Sequence, residues 1–251
     1  MTQRRLKEIA ALAQKKYRER SGQFVVEGAR AVEAAVAAQA PIVEVAVTEA
    51  AVQSERVATM LSRVDVPMHQ LRTLDFAKLS DVQTAQGVLA VVEMRDATVG
   101  DLREVPRVLA LDGVQDPGNV GTLIRTAAWF GVGAILAGPG TADVYNPKVV
   151  RSAMGSLWDV RLARTRDLTA ALHTLDRPSY GADLVGTPAA SWAPISPSVL
   201  VMGSEAHGIR ATVHAALSET IVIPGAATRQ GTESLNVAVA GGILMQAWTA
   251  P

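Results

Sequence analysis

The chain of 251 residues carries 24 Lys and Arg against 24 Asp and Glu, so its formal net charge is zero and offers no global attraction to a polyanion. Apolar residues make up 49% and charged residues 19%, a globular balance that excludes disorder over most of the length. Cysteine is absent, which excludes disulfide scaffolds, zinc–cysteine sites and thiol catalysis. The four histidines (His69, His173, His207 and His214) lack the His-Glu-x-x-His spacing, so no metal centre is expected.

Charge is unevenly spread. Residues 1–30 hold eight Lys and Arg against three Glu. The spacing of Leu6, Ile9, Ala10, Ala13 and Tyr17 predicts a helix over 3–20, with Lys7, Lys15 and Arg18 largely off its apolar stripe. Such a face is ordinarily just solvated, and it also suits phosphate contact. Ser21-Gly22 ends the helix and Phe24-Val25-Val26 opens a strand. Further strands are expected at 43–48, 67–70 and 87–93, and helices at 29–38 and 50–61. This alternation predicts an α/β layer architecture.

Residues 94–106 turn polar and irregular and are read as a linker. A second alternating series follows, with strands expected at 108–111, 134–136, 160–163, 179–182, 199–202 and 221–223. Its last helix is expected over 234–248. That stretch is too short and too polar, with Asn236 and Gln246, to span a membrane. No apolar signal core follows the basic amino terminus, so a cytoplasmic protein is expected.

P-loop, dinucleotide-fold and nucleophile-elbow patterns are missing. Three clusters remain, each at a strand-to-helix junction. In Asp116-Pro117-Gly118-Asn119, Asn119 is placed to cap the helix that carries Arg125. The run Gly203-Ser204-Glu205-Ala206-His207-Gly208-Ile209 follows an apolar strand, where free main-chain groups of a loop meet ligands. In Ser234-Leu235-Asn236-Val237, the amide of Asn236 lies one turn into an apolar helix, where it needs a partner. Each cluster has an ordinary structural reading: a capped turn, a glycine turn, and a tightly packed helix with one satisfied Asn.

Taken together and in this order, the clusters resemble the SpoU (TrmH-like) branch of the SPOUT RNA methyltransferases. The first family motif matches Asn119 to Ala127, the second Gly203 to Ile209, and the third Ile223-Pro224 with Ser234 to Ala240. The loop Gly225 to Gln230 departs from the family by looking expanded. Phe24 to Arg30, after the basic helix, is similar to the L30e-like substrate-binding domain found ahead of many SpoU domains. The resemblance implies an L30e-like α/β domain at 1–97 and a SPOUT α/β catalytic domain with a C-terminal trefoil knot at 104–251.

It also implies methyl transfer from S-adenosyl-L-methionine to a ribose 2′-hydroxyl of RNA, with 23S rRNA favoured over tRNA, by a homodimer that needs no metal. The catalytic residues it implies are Arg125, Asn119, Glu205, Ser234 and Asn236. Main-chain groups around Gly203, Ile223 and Leu235 would hold the cofactor, and Lys15, Lys16 and Arg18 would hold RNA phosphates. Arg125 matches the proposed base of the family. Since arginine is essentially always protonated, it acts either as a base in an unusual pocket or as a bidentate phosphate clamp. A catalytically silent RNA-binding protein on the same fold is the alternative.

Overall fold

A computed structural model describes residues 1–250 except 81, 83, 84, 227, 229, 230 and 232. The chain divides into two compact units, 1–95 with 145–158, and 96–144 with 159–251. The first unit contains α1 (Gln3–Ala11), α2 (Lys15–Ser21), β1 (Gln23–Glu27), α3 (Ala29–Ala37), β2 (Ile42–Thr48), α4 (Glu49–Val52), α5 (Glu55–Leu61), β3 (Met68–Leu71), α6 (Thr73–Phe76) and β4 (Val88–Glu93). Its four strands form a mixed sheet in the order β1-β4-β2-β3, parallel only between β2 and β3. Leu6, Ile9 and Leu12 from the amino-terminal segment bury themselves with Val25, Ala46, Leu89 and Val91 of that sheet.

The single helix expected over 3–20 is two helices, and the break has a physical cause. Leu12 turns back to the carbonyl of Ile9, and the carbonyls of Leu12 and Ala13 point away from any helical partner. Arg18 supplies the donors: its Nη1 lies 2.8 Å from the Leu12 oxygen and 2.9 Å from that of Ala13. The side chain that does this is buried, with 1% of its surface exposed. Arg18 is therefore removed from the expected phosphate contacts. Lys15 and Lys16 remain exposed, Lys15 3.7 Å from Glu19 and Lys16 over the ring of Tyr17.

The segment 145–158, far along the sequence, folds with the first unit and holds α8 (Pro147–Ser152). Tyr145 and Trp158 pack on Phe24 of β1, with ring centroids 4.7 and 6.2 Å away. The Tyr145 hydroxyl donates to the carbonyl of Arg95.

The second unit contains β5 (Arg107–Asp112), α7 (Pro117–Trp129), β6 (Ala134–Ala137), β7 (Arg161–Arg164), α9 (Leu168–Leu175), β8 (Ser179–Pro188), β9 (Ser198–Gly203), α10 (Ala211–His214), β10 (Glu219–Val222) and α11 (Val237–Thr249). All six strands are parallel, in the order β10-β8-β9-β5-β6-β7. The central pair, β5 and β9, reads as continuous apolar runs because both sheet faces are covered. The chain runs outward from β5 through β6 to β7, and the other strands lie on the opposite side of β5. The boundary between β5 and β9 is thus the point where strand order reverses, and ligands bind outside the carboxyl ends of strands at such a point.

Three expectations are corrected here. The stretch read as a linker does contain the boundary between the units, at 95–96, but its remainder belongs to the second unit and carries a 3-10 turn (Gly100–Glu104) whose Leu102 is fully buried in that unit's core. Hydrogen bonds from the Thr98 amide and hydroxyl fix that turn and hold the Asp101 carboxyl below its usual range. The helix expected over 50–61 is interrupted at Gln53-Ser54. β8 runs six residues beyond its expected end, through Gly186, because β10 pairs with it across a register shift. Among the described residues, no helix is long and apolar enough to cross a membrane.

The role of Arg18 is testable by urea unfolding. Arg18→Ala strips the donor from the buried Leu12 carbonyl and from the less buried one of Ala13, and is expected to lower stability by about 1–3 kcal/mol. Lys15→Ala is expected to change it by under about 0.5 kcal/mol. Equal midpoints for the two variants would contradict this account of the break.

Candidate active site

The last residues of β5 and β9, Asp112 and Gly203, are register partners, so the loops that leave these strands start side by side. Beyond Gly203 the chain makes a tight hairpin in which Ser204 and Gly208 exchange both main-chain hydrogen bonds, at 3.0 and 2.9 Å. The Ser204 hydroxyl accepts from the amides of Ala206 and His207 inside the turn. The hairpin folds back so closely that a Cβ on Gly203 would lie 2.3 Å from the Gly208 carbonyl carbon. Only glycine fits there, and that closure presents Glu205 at the tip.

The loop after β5 leads into α7, but Asn119 is not its cap. Asp116 takes that position, accepting from the Asn119 amide at 3.0 Å, and Pro117 occupies the first helical position, where its missing N–H costs nothing. The side chain of Asn119 is thereby released. Its Nδ2 donates to Glu205 Oε1 at 2.7 Å, and its Oδ1 accepts from Asn236 Nδ2 at 3.1 Å.

Asn236 also differs from expectation. It lies at the exposed start of α11 rather than inside it, and its Oδ1 caps the helix by accepting from the amides of Ala238 and Val239. The cap explains why an amide precedes so apolar a helix. It also fixes the sense of the network. With Oδ1 committed to main-chain donors, Asn236 can only donate to Asn119, which must then donate to Glu205. Donors run one way, from the α11 backbone to the carboxylate.

Ser234 and Leu235 are exposed in the segment before α11, and Ile223 is half-buried just past β10. None of the three lies in helix or strand, so their main-chain groups are not committed to a ladder. Arg125 is exposed on α7 and has no hydrogen bond or ion pair with a described residue. Thus Asn119, Glu205 and Asn236 are joined directly, with Gly203 at their base. Arg125 and Ser234 are not bonded to them. Of the loop Gly225 to Gln230, the described residues Gly225, Ala226 and Thr228 are exposed, and Ala227, Arg229 and Gln230 lie outside the described residues. Among the described residues, no three His, Asp or Glu gather as metal ligands would.

Two further residues join the site. Asp112, wholly buried, accepts from the main-chain amide and the Nε of Arg210. The signal for Asp112 was a carboxylate closing an apolar strand. For Arg210 the sequence holds no local signal, since its partner is far away along the chain.

Residues 106–246 match the SpoU rRNA Methylase family, and residues 3–90 match the MRM3-like substrate binding domain. The chain belongs to the SpoU rRNA methylase family. It is 32% identical over 247 residues to the 23S rRNA (guanosine(2553)-2′-O)-methyltransferase RlmP of Bacillus subtilis, covering 96% of this chain and 94% of that protein. The AdoMet-bound rRNA methyltransferase of Sinorhizobium meliloti superposes with a TM-score of 0.85 at 28% identity, over 98% of this chain and 94% of the other. The SpoU methyltransferase AviRb of Streptomyces viridochromogenes, solved with AdoMet, gives 0.87 at 25% identity, over 99% and 97%. The Asn119 bridge thus belongs to a SpoU methyltransferase fold.

The two functions of Asn236 separate by substitution. Asn236→Ala loses the cap and is expected to cost about 1 kcal/mol in thermal unfolding. Asn236→Ser keeps a capping oxygen, should retain most of that stability, and still loses the donor to Asn119. Equal melting temperatures for Asn236→Ala and the parent would contradict the capping role.

Proposed function

We propose that this SpoU chain transfers the methyl group of S-adenosyl-L-methionine to a ribose 2′-hydroxyl in 23S rRNA. The observation that carries the reading is the bridge through Asn119, which ties three separate sequence segments together at the reversal point of a parallel sheet. The residues present fit the cofactor. Main-chain groups at Ile223 and Leu235 lie outside any ladder and are open to a polar adenosyl group, Leu235, 47% exposed, offers apolar surface, and the buried Gly203 at the end of β9 leaves room beside them. S-adenosyl-L-methionine supplies an electrophilic methyl on a sulfonium, and the Glu205 carboxylate suits a cation nearby.

The protein must align the hydroxyl with that methyl and take up its proton. In this reading the bridge holds Glu205 and Asn119 rigid, and Ser234 and Asn236 border the ribose. The planar fork of Arg125 is unengaged by any described residue, which suits a bidentate grip on the adjacent phosphate. Lys15 and Lys16 of the first unit would add phosphate contacts that position the RNA without reading its sequence.

The family's knot and homodimer are part of the same proposal, as is a cytoplasmic setting beside the ribosome. In favour of the dimer, Trp129 of α7 and Val239 and Ile243 of α11 are 84%, 53% and 40% exposed on two helices that pack together. Arg125 shares its exposed helix face with Trp129, so a second copy seated there would complete the site.

Mapping 2′-O-methyl nucleotides in RNA from cells with and without the gene tests the substrate. One position in 23S rRNA is expected to lose its methyl group, and a loss confined to tRNA would overturn the choice. With purified protein, Arg125→Ala is expected to lower methyl transfer by at least about a hundredfold while melting temperature and cofactor affinity stay near the parent values. Arg125→Lys should fail as well, because an ammonium cannot reproduce the fork. Near-normal turnover by Arg125→Ala would refute its role.

A further inference from the structure

We infer that the ion pair between Asp112 and Arg210 is a positioning device for methyl transfer, holding the Glu205 hairpin against the end of β5. The inference rests on the methyltransferase reading above and extends it to two residues outside the bridge.

The hairpin 204–208 closes on itself, so it can move only as a body about its two ends. One end is β9, fixed in the sheet. The other is the stretch Ile209-Arg210 leading to α10, and there Asp112 holds on. The Asp112 Oδ2 accepts from the Arg210 amide at 2.8 Å, and Oδ1 accepts from Nε at 2.7 Å and faces Nη2 at 2.6 Å. The carboxylate side chain has no exposed surface, whereas that of Arg210 is 46% exposed. The carboxylate is fully desolvated while its partner stays half in water and is partly screened, so the pair offers little net stability and the arrangement is better explained by the geometry it imposes.

That geometry is specific. Both oxygens of Asp112 act as acceptors, and they grip the main chain and the side chain of the same residue. An asparagine could replace only one of them, since its NH2 group would face either the Arg210 amide or the guanidinium. Asp112 is also the register partner of Gly203, the entry to the hairpin. One residue at the end of β5 therefore sets the distance between the two feet of the loop. Glu205 stands on those feet, and its Oε1 must meet the Asn119 amide.

A positioning residue acts through the residue it places, and a double-substitution cycle reads this directly. Arg210→Met, Arg210→Lys and Asp112→Asn are made alone and with Glu205→Ala. Single-turnover methyl transfer to ribosomal RNA, KM for RNA, cofactor affinity and melting temperature are then measured. Arg210→Met is expected to slow transfer about tenfold with KM for RNA unchanged. Arg210→Lys, which keeps a charged donor for Oδ1, should recover most of the rate. In the Glu205→Ala background the same Arg210→Met change should cost less than about twofold, because its effect runs through Glu205. Should Asp112→Asn fail to fold, the two Arg210 variants decide the matter alone.

A tenfold loss that persists without Glu205, or an unchanged rate for Arg210→Met, would overturn the inference. So would a raised KM for RNA with a flatter salt dependence, which would make Arg210 a phosphate contact instead. If the parent protein itself moves no methyl group to RNA, the methyltransferase reading has failed and the inference falls with it.

Discussion

An asparagine side chain has one acceptor and one donor end, and in Asn119 both are fixed by neighbours that cannot be reversed. Asn236 must donate, because its own oxygen is held by the first amides of α11. Glu205, as a carboxylate, can only accept. The amide between them therefore has a single allowed orientation, and three loops are brought into register by it. Much of the second unit can be traced to that requirement. Asp116 caps α7 so that Asn119 does not have to, and Gly203 lacks a side chain so that the hairpin bearing Glu205 can close.

The sheet supplies the larger geometry. Parallel strands put all their carboxyl ends on one edge, and the reversal of order between β5 and β9 is where such sheets take up ligands. The last helix reaches the same place because it packs on α7. A Cβ on Gly241 would come within 2.4 Å of Leu123 Cδ2, so glycine there lets α11 lie close to α7 without displacing that side chain. The first unit is separately cored around Leu6, Ile9, Phe76 and Leu89, and it holds the basic surplus of residues 1–30, which the rest of the chain offsets. That distribution accords with the proposed division of work between an RNA-positioning unit and a catalytic unit.

Sequence pattern reached the strands most reliably. β-branched runs such as Val199–Met202 and Val108–Leu111 are unmistakable when both sheet faces are buried. The motif triplet also pointed to residues that do meet. What pattern missed has physical reasons. Arg18 looked like a surface charge because it lies off the apolar stripe of a helix read as unbroken, and nothing local reveals two carbonyls needing a donor. Asn119 was read as a cap because Asp, Pro and Asn are all common at helix starts, and only geometry distinguishes the cap from the third helical residue. Segment 145–158 and Arg210 find partners far away in sequence, and a single sequence carries no trace of that pairing.

The orientation of the Asn119 amide is the central claim, and an isosteric substitution tests it without disturbing packing. Asn119→Asp keeps the volume and can still accept from Asn236, but it sets a carboxylate against Glu205. Single-turnover methyl transfer by purified Asn119→Asp, with melting temperature and cofactor affinity measured beside it, is the direct test. The account expects a folded, cofactor-binding protein whose transfer rate falls about a hundredfold. A rate within about twofold of the parent would contradict it, since the bridge would then have no part in the chemistry.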